Sequence, residues 1–117
     1  MASLVALVWT GMITFYAPGL MEDVYNRRLA WGQVQPCPQC IGLAAVPDCG
    51  RIGRKVWLNG EGPFLVVDCS TAAHRAGYEA RGLVAEVDWP TARRWEMTGP
   101  IRGRAQWTPP WARWRAQ

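Results

Sequence analysis

Apolar residues in this chain come in short runs, and a turn signal closes each one. Residues 10–16 end at Ala17-Pro18-Gly19, residues 41–46 at Pro47-Asp48, and residues 52–58 at Asn59-Gly60-Glu61-Gly62. Residues 64–68 follow that last turn, and residues 83–88 and 101–107 complete the series. Runs of this length between Gly, Pro, Asn and Asp read as strands. Asn-Gly tolerates positive φ, so residues 52–58 and 64–68 are expected to form a hairpin. In the first of these, Ile52, Arg54, Val56 and Leu58 should share one face, and Gly53, Lys55 and Trp57 the other. Residues 20–31 are read as a short helix with Leu20, Val24 and Leu29 on its apolar side. Residues 91–97 are read as a second helix, for which Pro90 suits the first turn. The expected fold is mainly β: a six-stranded barrel with one or two short helices. Closure is preferred to a sandwich because a small barrel leaves no unpaired edge.

With 117 residues, the chain has enough length for one core and not two. The reading divides it into an apolar arm (1–9), a barrel domain (10–107) and a Trp/Arg/Pro-rich tail (108–117). Half the residues are hydrophobic and 19% are charged, which excludes a disordered chain. The net charge of +4 suits anionic polymers or acidic surfaces without selecting among them. The apolar stretch at residues 1–16 lacks a basic leader and is too short to span a bilayer, so no transmembrane span is expected.

Four cysteines, Cys37, Cys40, Cys49 and Cys69, are an even number in a small chain. They are expected to form disulfides in an oxidising compartment, with all three pairings open. Cys37-Pro38-Gln39-Cys40 would be one zinc half-site, but Cys49 and Cys69 do not make the second, so no metal or other cofactor is expected. A redox role for this CxxC is disfavoured because prolines surround the first cysteine and no helix follows it.

Two strand-like runs end on carboxylates, Asp68 and Asp88. Glycosidic cleavage requires one protonated carboxyl to give its proton to the leaving oxygen and one ionised carboxylate opposite. Asp88 follows an apolar run and precedes Trp89, which suits the protonated role; Asp68 adjoins a polar loop. An Asp at a strand end also makes turns, and an Asp before a helix caps it.

The order of elements resembles a known family. The strand Met12-Ile13-Thr14-Phe15-Tyr16, the segment Ile52-Gly53-Arg54-Lys55-Val56 leading into a hairpin, the strand ending in Asp68, and Asp88 opening a short helix recur together. This series is similar to the double-psi β-barrel of rare-lipoprotein-A-like proteins, barwin and the expansins. The resemblance implies a double-psi barrel outside the cytoplasm with a groove for cell-wall glycan. It implies lytic transglycosylase or glycoside hydrolase chemistry, or expansin-like binding without hydrolysis. By matching position, Asp68 and Asp88 would be catalytic, and Thr14 would line the groove. Tyr16, Trp57, His74 and Trp89 are expected to join Thr14 in binding substrate.

His74 is the only histidine, and no nucleophile motif accompanies it. Trp107, Trp111 and Trp114 lie among arginines in the tail, a pattern suited to docking on a protein partner. Nucleic acid is the weaker reading, because the patch is short and carries no RNA-binding motif. The arm and tail support an alternative of another class: a non-catalytic assembly protein of a surface layer, filament or phage particle, using the barrel as a building block.

Overall fold

The computed structural model describes residues 8–70, 77 and 80–112. The elements run β1 (Val8–Phe15), α1 (Leu20–Ala30), β2 (Gly42–Val46), a 3-10 turn (Cys49–Arg51), β3 (Lys55–Leu58), β4 (Glu61–Cys69), β5 (Leu83–Val87), α2 (Trp89–Arg94) and β6 (Ile101–Gln106). Six strands close into a barrel in the order β1-β5-β2-β4-β3-β6. β1 pairs in parallel with β5 and β2 with β4, whereas the other four seams are antiparallel. The expected mainly β barrel is therefore what the chain forms, with α1 and the shorter α2 among the described residues. Its mixed strand orientation is compatible with the double-psi arrangement.

Three of the expected strands move by more than one residue. β4 begins at Glu61, so Glu61 and Gly62 belong to the strand and not to the turn. β1 begins at Val8, because Val8 and Trp9 pair with Gln106 and Ala105 of β6. β3 begins only at Lys55. Residues 52–54 follow the 3-10 turn, where Gly53 takes a φ of 89° and so cannot continue a strand. The two-faced reading of this run also gives way: Val56, Trp57 and Leu58 are all buried. The Asn-Gly turn is as expected, with positive φ at both Asn59 and Gly60.

The barrel interior is filled by Ile13, Ala44, Val46, Val56, Leu58, Phe64, Val66, Ala85, Val87 and Ala105. A second cluster lies outside the sheet, where Met21 and Val24 of α1 cover Ala45, Leu65 and Val67. Met21, rather than the expected Leu20, is buried on the helix face. Acidic residues in the first turn of α1 and arginines in its last turn follow the helix dipole. Gly11 lets β1 approach β5, since a Cβ there would lie 2.1 Å from the Gly82 carbonyl oxygen. Met12 N–H donates to that same oxygen at 2.8 Å.

The two shortest seams are each extended by a side chain. β2 and β5 share only Ala44↔Val87 and Ala45↔Glu86, and β3 and β6 share only Trp57↔Gln106 and Leu58↔Ala105. Beyond the first seam, the Asp88 carboxylate accepts from Leu43 N–H at 3.1 Å. Beyond the second, the Asn59 side chain accepts from Arg104 N–H at 2.9 Å. Each polar residue stands in for a missing ladder bond.

Cys37 pairs with Cys40, and Cys49 with Cys69. The second bridge ties the 3-10 turn to the end of β4 across a sequence separation of 20. Chain-entropy scaling gives it about 3 kcal/mol, against about 1.5 kcal/mol for the three-residue separation of Cys37–Cys40. Urea unfolding should therefore show a loss near ~3 kcal/mol for the Cys49→Ser/Cys69→Ser double variant and about half that for Cys37→Ser/Cys40→Ser. Two disulfides suggest an oxidising, extracellular environment. No helix among the described residues is long and apolar enough to cross a membrane.

Candidate functional site

A strand with Phe64 and Val66 inside the barrel and Leu65 and Val67 outside would turn Asp68 inward if it ran on regularly. It does not run on regularly. β2 pairs Ala44 with Val66 but Ala45 with Asp68, which leaves Val67 as an extra residue in β4. The bulge brings Asp68 to the outer face, level with Ala45, and bulges of this kind commonly re-aim a side chain.

The same register reaches further. Ala45 opposes Glu86 of β5, and Glu86 opposes Thr14 of β1. Thr14, Glu86, Ala45 and Asp68 therefore form one row across four strands on the outer surface. Ala45, between the two carboxylates, is 4% exposed and packs in the cluster beneath α1. β5 alternates strictly, with Leu83, Ala85 and Val87 buried and Val84 and Glu86 half-buried, which directs Glu86 away from the core.

The two carboxylates are in different surroundings. Burial pushes the Glu86 carboxyl above the ordinary glutamate value of 4.5, and the negative charge of Asp68 adds to this. The Thr14 hydroxyl and Arg81 pull the other way with less effect. Asp68 is held on both oxygens. The Tyr16 hydroxyl donates to Oδ2 at 2.7 Å, and Arg28 Nη2 of α1 lies 3.3 Å from Oδ1. Arg28 also donates to Gln33 at 2.8 Å, which fixes its position. Beside Glu86 is a cleft of about 370 Å³ whose walls include Thr14, Arg81, Leu83 and Pro100.

Asp88 is placed differently from the expectation. It is 5% exposed, caps α2 by accepting from Thr91 N–H at 3.3 Å, and accepts from Leu43 N–H with its other oxygen. Each oxygen accepts from a backbone donor, so Asp88 caps α2 and ties Leu43 to the end of β5. The pair on the outer row is Asp68 with Glu86. Glu86 lies inside an apolar run and carries no run-end signal, but the alternation of Leu83, Ala85 and Val87 marks it as outward.

Of the other expected groove residues, Thr14 and Tyr16 reach the row. Trp57 does not: it is 8% exposed and packs edge-on against Trp111 at 6.5 Å. Trp89 is half-buried and packs on Phe15 at 5.7 Å. In the tail, Trp107 packs against the core and Trp111 is 56% exposed. His74 and Trp114 lie outside the described residues. No cluster of His, Cys, Asp and Glu that could hold a metal occurs among the described residues.

Fold and site together define a small disulfide-linked barrel with paired carboxylates on its outer face. The chain matches no protein-family model, no curated protein and no solved structure.

Proposed function

We propose that this barrel binds and cleaves a cell-wall polysaccharide of the peptidoglycan type, in an extracytoplasmic setting and on a double-psi topology. The observation that carries the reading is the placement of Glu86 and Asp68 on either side of Ala45, one half-buried with a raised pKa and the other fixed by Tyr16 and Arg28. Glu86 is the general acid, protonating the leaving glycosidic oxygen. Asp68, held by Tyr16 and Arg28, either activates water or stabilises the positive charge on the ring. Strands two apart place their backbones about 10 Å from each other. Carboxyl groups held at a similar spacing would leave room for a water between them, as single-displacement hydrolysis requires. In a lytic variant of the reaction, Glu86 alone would serve, with a substrate hydroxyl as nucleophile.

Co-sedimentation with insoluble peptidoglycan and with cellulose tests the binding half of this reading. The wild type should pellet with peptidoglycan, and Asp68→Asn should pellet equally well, because Asn keeps a hydrogen-bonding partner for Tyr16. Failure of the wild type to bind either polymer would favour the assembly reading, in which the barrel is a building block. A concentration-dependent oligomer would then be the expected companion result.

A further inference from the structure

A second cleft, of about 410 Å³, opens where β1 begins, and Leu83 is a wall of both this cleft and the one beside Glu86. Its distinguishing feature is an immobilised cation. The Arg51 guanidinium lies 4.5 Å from the centroid of the Trp107 ring and 5.4 Å from that of Trp9. The two indoles meet edge-on at 5.9 Å, and Trp9 remains 41% exposed. Among the described residues Arg51 has one ion pair, a 3.9 Å contact from Nε to Asp48, and its guanidinium makes no hydrogen bond. The indole N–H of Trp107 is also buried without an acceptor. The cleft thus joins the open face of Trp9 to the Nη groups of Arg51, which make no hydrogen bond among the described residues.

We propose that this cleft is a subsite for a carboxylate-bearing sugar, so that the polysaccharide taken by the barrel is an acidic one. This inference rests on the glycan reading given above and names its substrate class. The sugar's apolar face lies on Trp9, and its carboxylate accepts from the Nη groups of Arg51, a planar fork already oriented by two rings. Asp48 opposes an incoming anion, but its charge is partly taken up: Oδ1 accepts from Gly50 N–H at 2.9 Å and Oδ2 faces Arg51. Along β1, Trp9 and Thr14 are five residues apart, about 16 Å. A polymer crosses that distance and a single sugar does not, so the subsite orients a chain whose cleavage point lies at Glu86.

Calorimetric titration with oligosaccharides of alternating N-acetylglucosamine and glucuronate, against the same oligosaccharides with the carboxyl groups reduced to alcohols, tests this. The wild type should prefer the acidic form by about tenfold or more. That preference should shrink as salt is raised, a readout that needs no variant. Arg51→Gln should remove the preference while leaving affinity for the neutral form, and Glu86→Gln should keep it. Equal affinity for the two forms, or a preference that survives Arg51→Gln, would overturn the subsite. Binding to insoluble peptidoglycan without binding either oligosaccharide would overturn the subsite alone. Binding to no glycan at all would overturn the glycan reading with it.

Discussion

Asp88→Ala is expected to lower the melting temperature by roughly 10–15 °C, the equivalent of about 3 kcal/mol for a domain of this size. The loss has two parts. Removing an N-cap carboxylate costs about 1 kcal/mol at α2, where Thr91 N–H loses its acceptor. The second part arises at Leu43, whose N–H is left without a partner on the seam between β2 and β5, at about 1–3 kcal/mol. Beyond its two paired positions, that seam keeps only the Asp88 N–H bond to the Leu43 carbonyl at 3.2 Å, which does not satisfy the Leu43 N–H. Asp88→Asn should fall between the variant and the wild type, because one oxygen remains to accept. Thermal unfolding followed by circular dichroism gives both values. A shift below about 3 °C for the alanine variant would show that Asp88 does not carry the structural role assigned to it.

Glu86→Gln is expected to abolish sugar release, by about a hundredfold or more, since a general acid commonly contributes at that scale. The same change should stabilise the fold at neutral pH. Burial raises the Glu86 pKa above 4.5, so the folded protein retains a proton that the unfolded chain gives up. Wild-type stability therefore falls as pH rises from the ordinary glutamate range through the folded value. Glutamine does not titrate. Its advantage should be absent at low pH, grow across that window and remain constant above it. Loss of activity together with unchanged or higher stability would separate a chemical role from a structural one. Asp68 adds to the upward shift, so Asp68→Asn should move any residual alkaline limb of activity to lower pH.

The six strands were legible because turn residues bound each apolar run, and the Asn59-Gly60 hairpin had a mechanism of its own. The start of β1 was not, because Trp9 belongs to the strand only through its pairing with Ala105 and its packing on Trp107. Residues 52–54 looked like strand by alternation, but Gly53 and the adjoining 3-10 turn override the pattern. At the site, Thr14, Tyr16 and Asp68 were named from the sequence, whereas Glu86 was seen only as part of an apolar run. Its outward direction was available from the period of two. What no local pattern could supply was the neighbour relation: β5 lies next to β2, β2 next to β4, and the Val67 bulge turns Asp68 to the same side as Glu86. Asp88 showed both signals at once, a strand end and a helix start. The second of these, the cap, is what the structure uses.

The proposed chemistry needs Glu86 and Asp68 to act together on a glycosidic bond. Mass spectrometry of soluble sugars released from insoluble peptidoglycan tests it most directly, with wild type, Glu86→Gln and Asp68→Asn run side by side. Release by the wild type, none by Glu86→Gln and much reduced release by Asp68→Asn are expected, while all three proteins remain folded and bound to the polymer. Undiminished release by a folded Glu86→Gln, or no release by the wild type at any pH, would contradict it.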